Sequence, residues 1–245
     1  MPYLNVRPLI YGIEDRVTQV EPAQLADLMY RRHLDVGMVP VAEVLLHDQY
    51  DVLDGIAIAA RGAVKSVFVA HRTPVERVAR VAVTPASRTS VWLLRILLKL
   101  KFNREPEFYT KPPGAKLSEH EAMLLIGDEA IEYALREGQR SLWDLGAAWL
   151  EHTGLPFVFA VWAFQRGFRG GAPAILRKAK AAGLAHVEEI VQNAREASPE
   201  FLREYYARCV WYDLGAAEKQ GLRRFQEYLR EFGLVQGCHD LRYIA

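Results

Sequence analysis

Two hydrophobic periods alternate along the first two thirds of the chain. Residues 21–33 carry a proline in the first helical turn and set Leu25, Leu28 and Met29 on one face, which predicts a surface helix. An apolar run at residues 34–39 follows, closed by Pro40, and helical spacing resumes over residues 41–47. Residues 55–60 and 66–71 are β-rich runs joined by Arg61-Gly-Ala-Val-Lys65. A second strand-to-helix series runs from residues 78–83 through the hydroxyl-rich residues 84–90 into an apolar helix at 91–100. Residues 107–110 predict a strand, and 122–126 a better one that meets a helix at Gly127-Asp128. From residue 172 only helical spacing remains: 172–197, a Ser198-Pro-Glu start, and 216–232, read as solvated surface backing one lobe or as a dimer contact.

Repeated strand-helix units with a helical tail predict an α/β architecture. One sheet would have to hold many strands, so two lobes are expected, residues 1–71 with 161–245 forming the first and 72–160 the second. Ligands then bind in the cleft between the lobes, at the carboxyl ends of strands.

Composition narrows the field. The chain has 245 residues, 51% apolar and 25% charged, enough to bury a core and too ordered in pattern for a disordered protein. A net charge of +1 with no block of like charges speaks against nucleic acid as a partner. Cys209 and Cys238 form no CxxC or Cys/His group, and seven scattered histidines give no HExxH, so reduced thiols and no metal are expected. The longest apolar stretch, residues 154–164, contains a proline and is shorter than the roughly 18 residues of a membrane span. It reads as a buried strand. The N-terminus lacks the basic start and apolar core of a signal peptide, and the expected compartment is the cytoplasm. Residues 165–171 are glycine-rich and basic but have neither P-loop nor GxGxxG order, so no cofactor is expected, and no GxSxG elbow marks a covalent nucleophile.

Three segments carry candidate chemistry. Ser87, Arg88, Thr89 and Ser90 precede a helix whose first amides lack internal partners, which suits a carboxylate or phosphate; alternatively Ser87 or Thr89 caps its own helix. Gly127-Asp128 repeats the arrangement, with the same alternative for Asp128. In residues 3–9, Asn5 and Arg7 fall on one side of an extended chain, a pair suited to a hydroxyl beside a carboxylate. Asp35 and Glu43 flank residues 38–40 without forming a defined pair. Trp162 and Phe159 offer aromatic surface, or core.

Taken in order, Tyr3-Leu-Asn5 with Arg7-Pro-Leu9, residues 34–43 (Leu-Asp-Val-Gly-Met-Val-Pro-Val-Ala-Glu), Val64-Lys-Ser-Val67, Ser87-Arg-Thr-Ser90, Ile126-Gly-Asp-Glu-Ala130, Asp144-Leu-Gly-Ala-Ala-Trp149 and residues 153–163 resemble the MqnA family, chorismate dehydratases of the futalosine route to menaquinone. The resemblance covers about the first 165 residues. It implies a fold similar to type II periplasmic binding proteins. It also implies a first strand ahead of Tyr-Leu-Asn, a motif that begins here at residue 3; either the start is set too late or that strand is missing, and in the second case the sheet edge beneath Asn5 is expected to be compromised.

The implied reaction is loss of water from chorismate to give 3-[(1-carboxyvinyl)oxy]benzoate, a carbon-oxygen lyase step. By the same resemblance, Ser87, Thr89 and Ser90 with Arg88 and the helix start hold one substrate carboxylate. Ser66 or Gly127-Asp128 lies across the cleft, Arg7 and Trp162 contribute to binding, and Asn5 with Tyr3 orients the leaving hydroxyl. The proton acceptor is left between Asp128, Glu43 and a carboxylate of the substrate. The expected partner is chorismate, for a monomer or homodimer. Two other readings compete: a cytosolic small-anion binding protein without chemistry, and the pathway's sister cyclase, which opens with a Pro-Asn-Asp motif and needs an aromatic platform for a purine.

Overall fold

The computed structural model describes residues 3–84, 88–112, 114–138 and 141–245. The chain begins as a one-turn 3-10 helix, Leu4–Val6, leading into α1 (Arg7–Ile10) with Pro8 in its first turn. Pro22 opens α2 (Pro22–Tyr30), where the missing amide hydrogen costs nothing. Pro40 ends β1 (Val36–Pro40) and hands over to α3 (Val41–Leu46), after which β2 (Tyr50–Ala60) runs through the molecule. Then follow β3 (Val67–His71), β4 (Arg80–Val83), α4 (Arg88–Phe102), β5 (Glu107–Thr110), β6 (Ala122–Ile126), α5 (Gly127–Glu137), β7 (Leu142–Asp144) and α6 (Leu145–Thr153). β8 (Phe157–Gln165) returns the chain to the start. The tail comprises α7 (Ala172–Ala185), α8 (Val187–Asn193), α9 (Pro199–Glu204), a π-helical turn (Tyr205–Cys209), α10 (Ala216–Glu231) and β9 (Tyr243–Ile244).

The strands form two sheets, ordered β1-β8-β2-β9 and β5-β4-β6-β3-β7. β8 is antiparallel to both β1 and β2, with register irregularities in β2 between Val52 and Ala57 and between Ile58 and Ala59. In the second sheet β4 pairs in parallel with β5 and β6, while β3 is antiparallel to β6 and β7. β6 is buried throughout, as its run of Ala-Met-Leu-Leu-Ile requires of a strand covered on both faces. No other strand pairs with the outer edge of β1 among the described residues, and an apolar groove of about 320 Å3 between this edge and residues 16–20 runs beside it.

The chain passes from the first sheet to the second between Ala60 and Val67, and back between Asp144 and Phe157. β3 therefore belongs to the second sheet, where both its edges are hydrogen-bonded, although residues 1–71 are read as one lobe from the sequence. Likewise β8, from Phe157 onward, belongs wholly to the first. One carboxylate ties the two passages together. Asp144 caps α6 through the Ala147 amide (3.0 Å) and accepts the amides of Val64 (3.1 Å) and Lys65 (2.8 Å).

The expected helix over 172–197 is divided at His186, where backbone angles leave the helical region. There α7 presses against the N-terminal segment: a Cβ on Gly183 would fall 2.0 Å from the Pro8 carbonyl oxygen. The C-terminal helix α10 is more than a solvated backing. Its Leu222, Phe225, Tyr228 and Leu229 are buried, and the helix packs on β8 of the first sheet and on α4, which covers the second, while Trp149, Phe157 and Phe225 meet edge to face beneath it.

Candidate functional site

Between the sheets lies a small cleft of about 100 Å3. Tyr3 and Asn5 reach it from the N-terminal turn, Met38 and Pro40 from the end of β1, Phe159 and Ala160 from β8, Ser66 and Val67 from the start of β3, Ser90 from the first turn of α4, and Gly127 from the start of α5. Carboxyl ends of strands and amino ends of helices converge there because β1, β4 and β6 each lead toward a helix at that end.

Five of the expected residues meet in this cleft: Tyr3, Asn5, Ser66, Ser90 and Gly127. The Asn5 amide oxygen is buried and has no hydrogen-bond partner. Ser66 is 1% exposed; its hydroxyl accepts from Tyr205 (3.0 Å) and donates to the Val64 carbonyl at 3.4 Å, a long bond. Tyr3 lays its ring on Gly127, whose φ of +60° and lack of a side chain permit the approach, since a Cβ there would fall 2.6 Å from the ring. The Tyr3 hydroxyl donates to Glu21 (2.9 Å), and burial together with that carboxylate pushes its pKa up.

The structure assigns other partners to the remaining candidates. The Gly127 amide donates to the Ser66 carbonyl (2.7 Å), continuing the sheet and not awaiting an anion. Asp128 neither caps its own helix nor lines the cleft; its carboxylate accepts the Leu4 amide (3.0 Å) and so holds the turn that carries Asn5. Burial pushes the Asp128 carboxyl up, against the pull of that amide. Thr89 is 1% exposed and accepts the Ala42 amide (3.0 Å), joining α4 to α3. Arg88 is exposed in a neighbouring groove with Asp27, Tyr30, Glu43 and His47. Arg7 is ion-paired with Glu196. Trp162 faces the groove beside β1, not the cleft, and its indole nitrogen is buried without a partner. Ser87 lies outside the described residues.

The lining is chemically sparse. Among its described residues Tyr3 is the one titratable side chain, and the rest are an amide, two hydroxyls and apolar surface. Glu43, raised by burial and accepting from the Tyr50 hydroxyl (2.9 Å), lies in the neighbouring groove. No group of three or more His, Cys, Asp or Glu able to hold a metal occurs among the described residues. Sequence reasoning missed Tyr205, Tyr206, Glu21 and Glu196, the partners that hold the site residues in place.

A family described as menaquinone biosynthesis matches residues 1–231. The chain belongs to this family. Its relatives include the chorismate dehydratase of Thermus thermophilus, 33% identical over 93% of this chain and 92% of the relative, and that of Campylobacter jejuni, 27% identical over 95% and 93%. Solved structures agree on the fold. A protein from Archaeoglobus fulgidus matches with a TM-score of 0.74 at 19% identity over 96% of both chains, and an ABC transporter from Parabacteroides distasonis with 0.58 at 16% identity over 88% of this chain and 80% of its own. This member of the menaquinone biosynthesis family thus has the two-lobed, periplasmic-binding-protein-like α/β fold. No helix among its described residues is long and apolar enough to cross a membrane.

Proposed function

We propose that this chain is a chorismate dehydratase, a hydro-lyase that converts chorismate to 3-[(1-carboxyvinyl)oxy]benzoate and water on the cytoplasmic futalosine route to menaquinone. The observation that carries the reading is the buried, unpartnered Asn5 amide oxygen in a cleft otherwise furnished with hydroxyls and apolar surface. The two chorismate dehydratases that the chain matches over 92% and 93% of their length support it.

The chemistry asks little of a protein acid or base. Deprotonation at the ring carbon bearing the enolpyruvyl ether places negative charge that spreads through the adjacent double bond toward the ring carboxylate. The neighbouring hydroxyl then departs as the ring becomes aromatic, and the proton and hydroxyl together make the water released. With Asp128 engaged by the Leu4 amide and Glu43 in another groove, the enolpyruvyl carboxylate, beside the proton to be removed, is the acceptor we favour.

In this reading the Asn5 amide oxygen accepts from the substrate hydroxyl and orients it, and the amide NH2 donates to that oxygen as it departs, while Ser66, Ser90 and the first amides of α4 take the substrate carboxylates. Tyr3 closes the aromatic side of the ring pocket, and Arg88 contributes long-range attraction for a dianion from the neighbouring groove. The experiment is direct: purified protein mixed with chorismate is followed by ultraviolet absorbance and product mass. Catalytic loss of one water is expected. Chorismate that binds and stays intact would replace the enzyme reading with a binding protein.

A further inference from the structure

The residues after β8 contribute nothing to the cleft lining, yet two consecutive side chains among them hold its polar groups from behind. α9 runs into the π-helical turn Tyr205–Cys209, an irregularity that costs backbone hydrogen-bond geometry and tends to be retained where it places side chains for function. The Tyr205 hydroxyl donates to Ser66 Oγ (3.0 Å), and the Tyr206 hydroxyl donates to the Leu4 carbonyl (2.9 Å). Both rings are buried, Tyr205 at 1% exposure and Tyr206 at 6%.

Each bond has a specific effect. By donating to Ser66, Tyr205 occupies an acceptor site on that oxygen and leaves Ser66 its hydrogen to give away. The present taker of that hydrogen, the Val64 carbonyl at 3.4 Å, is weak enough to yield to a carboxylate. The Leu4 carbonyl that Tyr206 grips belongs to the peptide joining Leu4 to Asn5. With Asp128 holding the Leu4 amide on its other side, both peptide groups of Leu4 are fixed and Asn5 is aimed by the pair.

We propose that Tyr205 and Tyr206 are positioning residues of the dehydration site, the first polarising Ser66 as a donor to a substrate carboxylate, the second fixing the direction of the Asn5 amide. The inference rests on the dehydratase reading above. It separates the two tyrosines by the kinetic constant each governs: a substrate carboxylate already carries most of its charge in the ground state, so weakening the Ser66 bond falls mainly on KM, whereas the leaving oxygen gains its charge only as it departs, so misaiming Asn5 falls mainly on kcat.

The test uses Tyr205→Phe and Tyr206→Phe in the full chain, each removing one oxygen, with thermal melts alongside. Y205F is expected to raise KM for chorismate about tenfold with kcat within about twofold, and to have no further effect on KM in a Ser66→Ala background. Y206F is expected to lower kcat about tenfold with KM nearly unchanged, and to add nothing in an Asn5→Ala background. Parallel loss of kcat and KM in both variants, unchanged kinetics, or a Y205F effect that persists without Ser66 would overturn the proposal. A wild-type chain that turns over chorismate while both variants match it defeats this inference alone, whereas a wild type that leaves chorismate intact defeats the dehydratase reading and this inference with it.

Discussion

A buried acceptor without a donor costs about 1–3 kcal/mol, and the Asn5 amide oxygen has no donor among the protein's own described groups. Asn5→Ala is therefore expected to leave the melting temperature equal or higher while lowering kcat by about 100-fold, the opposite of what a structural asparagine would show; paired thermal melts and turnover assays check it. Glu43 offers a second test through pH. Burial raises its folded pKa above the unfolded value even though Tyr50 donates to it, so the folded state binds the proton more tightly. Stability from this group is then greatest below the ordinary carboxylate range and falls as pH rises through the folded pKa. Glu43→Gln, which can still accept from Tyr50, is expected to raise the melting temperature at pH 7.5 and to lose that advantage near pH 4. Gly127→Ala combines a left-handed backbone with a contact of 2.6 Å to the Tyr3 ring, and is expected to cost about 1–2 kcal/mol in urea denaturation and to raise KM as Tyr3 is displaced.

Among the elements, those that follow a local rule were legible and those fixed by distant partners were not. The runs at 78–83 and 122–126, Pro22 and Pro40 at helix starts, and Ser198 as a cap all sit in the elements their patterns require. The hydroxyl-rich approach to α4 reads as one anion site, yet its members part company. Ser90 faces the cleft, Thr89 turns to the Ala42 amide and Arg88 to another groove, because successive residues of a helix point about 100° apart. Tyr205 and Tyr206 carry no local sign of their role, since their partners lie 139 and 202 residues away and only the folded chain brings them together. Asp144 shows how much one capping residue can hold. Asp144→Ala strips three amides of their acceptor and is expected to cost about 2 kcal/mol or more, read as a lower urea midpoint with an unchanged m-value.

At the scale of the whole molecule, the sheets share one apolar core that joins Val39, Val52 and Val161 of the first to Val69, Val81 and Leu124 of the second, and Phe225 of α10 is part of it, against Phe157 and Trp149. Phe225→Ala is expected to cost about 3–5 kcal/mol and to lower a single cooperative transition, not one of two, in differential scanning calorimetry. Polar ties also span the halves, among them Thr89 to the Ala42 amide, Asp128 to the Leu4 amide and Tyr205 to the Ser66 hydroxyl, while Asp144 joins the two connecting passages at the Val64 and Lys65 amides. Two bodies pinned at two points keep one rotation, about the line through the pins, and a third pin off that line removes it. The Leu4 bond is one of these pins, and it belongs to the short turn that carries Asn5. Rigidity between the halves and the aim of Asn5 are thus coupled through one hydrogen bond: a change that breaks it loosens a tie across the halves and frees the turn that carries Asn5 in the same stroke.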